Sequence, residues 1–491
     1  MIRDSAQLKT PYLDALKKYV EDEVVTFDVP GHKKGKIPND FIEFVGRKTY
    51  ICDVNVPRGL DNLNNPTGPI KEAQDLCAKA FNVDKAYFVM NGTSMAIQAM
   101  IMSCMKAKEV VIMPRNVHKS AIDALVLSGA VPVFITPIID EEYGFANGVS
   151  TYNVIQAIDE NPHAKAIYLV YPTYFGSVCD IETIVTYAHK KKMLVLVDEA
   201  HGTAYNFSNK LPKSAIEAGA DLVASSMHKT GASLTQSSIL LSQGNRVDYD
   251  RIRTTLNMLH TTSPSSIFLA SLDAARKTMY FDGELLIDKM VKLYDFAEKE
   301  INKKCKYIHV LTDKYFHKIG VFKHDHTKLV ISVKELGLSG KKVYDLLKDE
   351  YNVQAELGEM YVVLFSFGIG NIEKDIKALI KALVDIDMKY KTEVKDLEFP
   401  VKYEFPKMFV RPREAFHGAK KYVNYLDSEG EISGESIMIY PPGIPLVIPG
   451  ERINKNTVEL IKHYYSIGAL VLKSSEGTKV KVLNLVKRNK E

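Results

Sequence analysis

A lysine just past the end of one apolar run, and an aspartate closing an earlier one, set the chemistry this chain can do. The segment Ser225-Ser226-Met227-His228-Lys229-Thr230 follows the strand-like Asp221-Leu222-Val223-Ala224. On the rim of a sheet, desolvation and neighbouring charge can lower a lysine's pKa and make it an imine-forming amine. Alone, Ser-x-His-Lys reads equally as a surface lysine in a polar turn. Thirty-one residues upstream, however, Leu194-Val195-Leu196-Val197 ends in Asp198-Glu199-Ala200-His201-Gly202. A carboxylate there can be aimed at a pyridinium nitrogen and keep it protonated. Strand aspartate, helical crossover and lysine together are what pyridoxal phosphate chemistry needs. Lys229 is therefore read as the imine-forming lysine and Asp198 as the partner of the ring nitrogen. His201 is a candidate hydrogen-bond partner for the cofactor's phenolic oxygen or for substrate. Glu199 is expected to cap or to face solvent.

Other candidates fall at strand-to-helix junctions. Asn91-Gly92-Thr93-Ser94 offers glycine for close backbone approach, with two hydroxyls and free N–H groups at a helix N-terminus. That composition makes a phosphate cradle, and it also makes an ordinary helix cap. Ser226 and His228 flank the lysine and can add phosphate donors. In Arg115-Asn116-Val117-His118-Lys119-Ser120, the His118 imidazole can stack on a pyridine ring or cap the helix that follows. His32, in Pro30-Gly31-His32, reads as a turn residue or a functional one. Residues 51–69 are irregular and long for a connector, and such loops are often functional.

The elements that position these residues follow from hydrophobic period. A helix is expected over Pro11–Glu21. From residue 70, helices at 70–81, 94–106, 117–128, 151–159 and 181–191 alternate with short β-rich runs at 86–90, 109–113, 131–135, 166–170 and 193–197. This is the pattern of a mostly parallel sheet covered on both faces, which binds ligands beyond the carboxyl ends of its strands. A long helix at 265–304 precedes strands near 329–333 and 361–365 and helices at 340–350, 371–386 and 455–466. The expected division is an N-terminal arm (1–69), a large cofactor-binding α/β domain (70–310) and a smaller α+β domain (311–491).

Composition bounds the rest. The 491 residues carry 64 basic and 60 acidic side chains, a formal net charge of +4. Basic runs are short, so nucleic acid is not an expected partner. Five scattered cysteines without a Cys-x-x-Cys argue against disulfides and a zinc site and for a reducing compartment. No apolar stretch reaches membrane-spanning length and no secretory leader is visible. A cytoplasmic enzyme without a metal is expected.

The series Pro-Gly-His-Lys-Lys-Gly, Asn-Gly-Thr-Ser, Arg-Asn-Val-His-Lys-Ser, Asp-Glu-Ala-His-Gly, Ser-x-His-Lys and Tyr-Pro-Pro-Gly-Ile-Pro-Leu-x-x-Pro-Gly-Glu resembles the bacterial Orn/Lys/Arg decarboxylases of pyridoxal phosphate fold type I. The resemblance runs from about residue 8 to 470. More narrowly it is similar to the short Bacillus-type biosynthetic arginine decarboxylases. It implies that Lys229 forms the imine, Asp198 binds the ring nitrogen, His118 stacks on the ring, and Thr93, Ser94, Ser226 and His228 serve the phosphate. It also implies a homodimer or higher homo-oligomer with the active site at the subunit interface, where Thr262 completes the phosphate site across subunits. A helix cap before Pro264 is the alternative for Thr262. The substrate's distal cation needs an acidic partner, with Glu435 first, Glu451 second and Asp53 third. Arginine going to agmatine and CO2, in polyamine synthesis, is the first expected reaction, then lysine, then ornithine. An aminotransferase or aldol-type enzyme of the same fold, or a non-catalytic paralogue, are the rivals. The stretch Met360–Asn371 holds no arginine to grip an α-carboxylate, which leans away from transamination.

Overall fold

The computed structural model describes residues 4–391, 404–440, 444–466, 468 and 470–484. The chain divides into two compact units, each built from several segments: residues 1–104, 194–293 and 368–371, and residues 105–193, 294–367 and 372–491.

In the first unit four strands lie side by side. Lys85–Val89 runs antiparallel to Ser238–Ser242, which runs antiparallel to Leu222–Ser225, which is parallel to Leu194–Asp198. Apart from Lys85 at one tip, every residue of these strands is buried, as expected of apolar runs covered on both faces. The antiparallel Ser238–Ser242 strand departs from the expected pattern. Its connection from Ser225 holds only the single helical turn Met227–Thr230, and without a crossover the chain returns antiparallel.

The register sets the site. Val89 lies opposite Ser238, Ile239 opposite Ser225, and Asp198 opposite Ala224. Three strand ends and one strand start therefore share an edge, which brings the 90–94, 198–203, 225–230 and 236–238 segments together.

The N-terminal segment is fastened to this unit. Helix Pro11–Glu21, at its expected position, has no cap from its own N-cap residue Thr10. Asp273 substitutes, accepting the Tyr12 N–H at 2.9 Å, while buried Arg276 donates to Gln7 O at 2.6 Å and to Asp273 at 2.8 Å. The irregular stretch expected at 51–69 begins at the end of a short helix, Arg47–Cys52, and is tied down by Asp61. The Asp61 carboxylate accepts from the N–H groups of Thr67, Gly68 and Ile70 at 3.0, 2.7 and 3.1 Å. It thereby caps helix Pro69–Ala80 from outside, where the N-cap Gly68 has no side chain to do so.

In the second unit Val110–Pro114 pairs in parallel with Val131–Ile135 and with Ala166–Val170. A four-stranded antiparallel sheet has the order His309–Val310, Lys328–Ser332, Val362–Ser366, Leu357–Gly358. Nearer the C-terminus, Ile437–Tyr440 pairs with Ile444–Val447 and Leu470–Leu472, and Lys420–Asn424 with Lys479–Leu483. Helix Lys455–Ser466, at its expected bounds, packs Leu460, Ile461 and Tyr464 into a core with Ile437, Val447 and Val480. The helix expected from 117 begins instead at Lys119. Residues 441–443 of the Tyr-Pro-Pro-Gly motif lie outside the described residues.

Candidate functional site

Lys229 projects from the single turn after strand Leu222–Ser225, and Asp198 ends the strand paired with it. His201 stands beside the lysine: Lys229 Nζ and His201 Nε2 are 3.0 Å apart. Asp198 is buried, 5% exposed, and its Oδ1 accepts the Ala200 N–H at 3.1 Å. That bond turns the chain sharply after the strand and leaves His201 beside the lysine. Thr203, one turn further, joins its hydroxyl to Ser225 Oγ at 2.7 Å and donates to Ser226 O at 3.0 Å. These bonds lock the two strand ends together beneath the lysine.

The hydroxyl cluster forms on the other side. Helix Gly92–Cys104 starts at Gly92, whose φ of +74° demands a residue without Cβ. Thr93 is buried, and its Oγ1 bonds the hydroxyls of Ser226 and, at 2.7 Å, Ser238. The Thr93 side chain is thus spent inward, while Ser94 is exposed at the helix start. Ser238 escaped the sequence reading. Its signal was the polar Ser237-Ser238 heading an apolar strand.

His228 places Nδ1 2.9 Å from the Ser237 carbonyl oxygen. A carbonyl only accepts, so Nδ1 carries a proton. Burial, with a smaller contribution from the Lys229 charge, lowers the His228 pKa. Glu199 differs from expectation. It is fully buried, accepts the Ala215 N–H at 2.7 Å, and has a pKa pushed well above the usual carboxyl range by desolvation. The strand ahead of it is covered on both faces, so the residue that follows Asp198 is enclosed as well.

His32 Nε2 lies 3.2 Å from Asp53 Oδ2, a pairing between two residues singled out separately. Thr262 is exposed in the turn before helix Ser266–Lys304, and the turn's own bond is from the Ser263 N–H to Thr261 Oγ1 at 3.1 Å. Thr262 therefore does not act as the cap.

The remaining candidates belong to the second unit. His118 is the N-cap of helix Lys119–Ser128, its Nδ1 2.8 Å from Ser120 Oγ. The capping alternative is realised. Glu435 is buried and saturated. Its carboxylate accepts from Ser474 N and Oγ (2.8 and 2.7 Å), Ser475 N and Oγ (2.9 and 2.5 Å) and Lys481 N (2.7 Å). Those bonds fill the lone pairs a carboxylate has, so Glu435 joins its own sheet together rather than waiting for a cation. Glu451, 1% exposed, accepts from Arg115 Nη2 at 2.8 Å and from the Ile448 N–H at 2.9 Å. Burial acts against both charges of this pair, and each charge stabilises the other. Arg115 had been read only as a neighbour of His118.

The donor set fits pyridoxal phosphate. A buried carboxylate can face a pyridinium, a lysine sits on the adjoining strand end, and hydroxyls gather at the N-terminus of a 13-residue helix.

The Orn/Lys/Arg decarboxylase major-domain model matches residues 10–375, and the C-terminal-domain model of the same family matches 396–470. The chain is 38% identical to an arginine decarboxylase of Bacillus subtilis over 99% of both chains. It is 39% identical to that of Halalkalibacterium halodurans, again over 99% of both. An inducible lysine decarboxylase of Escherichia coli is 25% identical over 94% of this chain and 78% of its own. Among solved structures, the constitutive lysine decarboxylase of E. coli superposes with a TM-score of 0.83 at 21% identity, covering 97% of this chain and 82% of that one. An alanine–glyoxylate aminotransferase from Nostoc shares the fold at a TM-score of 0.54 and 16% identity, over 68% of this chain and 89% of that one. The fold is thus the α/β fold of pyridoxal phosphate fold type I with a smaller C-terminal domain, and by the extent of these matches the chain is a member of the Orn/Lys/Arg decarboxylase family.

Proposed function

We propose that this enzyme decarboxylates L-arginine to agmatine and CO2 with pyridoxal phosphate, as a cytoplasmic homo-oligomer supplying polyamine synthesis. The observation that carries the reading is Lys229 Nζ, 3.0 Å from His201 Nε2, on the strand end adjoining Asp198. Arginine is preferred over lysine because the relatives matched at 38–39% over full length are arginine decarboxylases, whereas the lysine decarboxylase match is at 25%.

Pyridoxal phosphate, when bound, supplies an electron sink for the pair left on Cα as CO2 departs. The residues of this chain do the rest. Lys229 would provide the amine that holds the cofactor. Asp198 would keep the ring nitrogen protonated, and we assign His118 to the ring on the family resemblance alone. Ser94, Ser226 and the N–H groups opening helix Gly92–Cys104 receive the phosphate, with Thr93 bracing Ser226 from behind. His228 can donate from Nε2 only as imidazolium, because Nδ1 faces the Ser237 carbonyl. A phosphate dianion supplies the charge that favours that form. The Lys229–His201 pair shares a proton between two nitrogens, and we assign it the delivery of that proton to Cα once the C–C bond has broken. Of the three candidate acids, Asp53 beside His32 is the one that is not buried, and we assign it the guanidinium. Thr262 is assigned to the phosphate site of a second subunit.

The test is CO2 release by the cofactor-loaded enzyme offered L-arginine, L-lysine and L-ornithine separately, beside Lys229→Ala. Turnover of arginine to agmatine, lost in the variant, is the expected result. Preference for lysine or ornithine would overturn the substrate. If no CO2 came from any of the three and a 2-oxo acid appeared instead, the enzyme would be an aminotransferase.

A further inference from the structure

Within the second unit, three side chains that the decarboxylase reading does not use converge on one point. Asp313 opens helix Asp313–Lys318, His324 ends the short strand Lys323–His324, and His326 precedes strand Lys328–Ser332. One ligand atom from each lies within 4.8 Å of the others. We propose that Asp313 Oδ1, His324 Nδ1 and His326 Nε2 bind a divalent transition-metal ion of the zinc class.

The independent observation is at His324. Its ring is fully buried, and Nε2 lies 3.0 Å from the carbonyl oxygen of Phe175. That carbonyl can only accept, so Nε2 carries the proton and the neutral ring presents a lone pair at Nδ1. Nδ1 is buried and has no hydrogen-bond partner among the described residues. It points toward Asp313 Oδ1 at 3.8 Å, too far for a hydrogen bond. A buried lone pair without a donor is costly, and a cation would satisfy it. A histidine whose far nitrogen is fixed on a backbone carbonyl is also the usual arrangement of a metal-ligating imidazole.

The surroundings hold the ligands in place. Phe316 stacks on His324 with centroids 4.0 Å apart, and Tyr294 stacks on His326 at 4.7 Å. Gly176 allows the tight approach, since a Cβ there would stand 2.9 Å from His324 Nε2. His326 Nε2 already lies 3.0 Å from Asp313 Oδ1. Two donors bound tetrahedrally at about 2.0–2.1 Å are about 3.3 Å apart, so the three atoms need shifts of about an ångström. Asp295, Glu298 and Asp325 face the same histidine and tyrosine rings, which adds negative potential around a cation. Asp313 is half exposed, giving the ion an entry path and leaving a coordination position for water. Two nitrogens and one carboxylate oxygen suit zinc and its neighbours better than calcium or magnesium. Binding would staple helix Asp313–Lys318 to the 324–326 segment.

The experiment uses the full-length, cofactor-loaded protein, stripped with a chelator, loaded with ZnSO4 and passed through gel filtration. Metal content, zinc affinity by competition with a chromogenic chelator, and thermal midpoint with and without zinc are measured. Expected are one zinc per chain, a rise in midpoint, and an affinity lowered at least about tenfold in both Asp313→Asn and His326→Gln. Asp313→Asn is isosteric and half exposed, and turnover by the metal-free variants reports that they are folded. If either variant failed to fold, the other would decide. Substoichiometric zinc in the wild type would overturn the site, as would unchanged affinity in either folded variant.

Discussion

Glu451→Gln separates two roles that one carboxylate can have. Glu451 and Arg115 are each about 1% exposed, joined by the 2.8 Å bond from Nη2. Besides that bond, Arg115 donates to Leu446 O at 3.3 Å, and its Nε and Nη1 have no hydrogen-bond partner among the described residues. Phe134 and Phe405 flank the guanidinium at 5.0 and 5.4 Å and recover part of its lost hydration. Neutralising Glu451 therefore strands a buried cation with little else to satisfy it. Removing one partner of a buried pair costs about 3–5 kcal/mol. Glutamine still accepts the Nη2 hydrogen bond, which places this variant near about 3 kcal/mol, a loss of about two orders of magnitude in the folded-to-unfolded ratio. The assay is urea unfolding followed by circular dichroism, with KM for arginine measured on the folded enzyme. The expected result is a lowered first unfolding midpoint and an unchanged KM. Arg115→Met in the variant background should restore most of the midpoint, because the stranded charge is then gone. An unchanged midpoint with KM raised tenfold or more would refute the structural role and return Glu451 to the substrate's distal cation.

Three further outcomes follow from the same geometry. Asp61→Ala removes the acceptor for the Thr67, Gly68 and Ile70 N–H groups, costs about 2 kcal/mol as a lost helix cap, and should raise hydrogen exchange across residues 62–70. Arg276→Met leaves Asp273 buried without its cation and frees Gln7, so limited proteolysis should cut before residue 11 faster than in the wild type. Glu199→Gln should gain on the wild type as pH rises. The buried acid keeps its proton in the folded state above the ordinary carboxyl range, so its stabilisation is full below the unfolded pKa and is lost as pH climbs toward the folded one. The glutamine has no such loss, and a urea-midpoint difference that stays constant from pH 5 to pH 8 would contradict this.

Local sequence carried the elements and the identity of the chemistry. Helices Pro11–Glu21 and Lys455–Ser466 and strands Val131–Ile135 and Ala166–Val170 stand at their expected bounds, because period, caps and β-branched runs act over a few residues. Lys229 and Asp198 were legible for the same reason: each closes an apolar strand, and strand ends in such sheets carry function. The Ser238–Ser242 strand was not among those expected, and its antiparallel direction follows from a connection that holds no crossover. Nor was the partner of any buried polar group legible. Asp61, Asp273 and Glu435 look in sequence like the acids around them, and they became a helix cap, an anchor for the N-terminus and a saturated sheet tie through residues 6 to 261 positions away. His324 and His326 gave no sign either, because Asp313 and the Phe175 carbonyl meet them only in the folded chain. The sequence by itself determined which segments form strands and helices and which reactive groups stand at their ends. The tertiary structure alone decided which of the polar side chains are spent on holding the fold and which remain for a ligand, because hydrogen-bond donors and acceptors are matched across space and not along the chain.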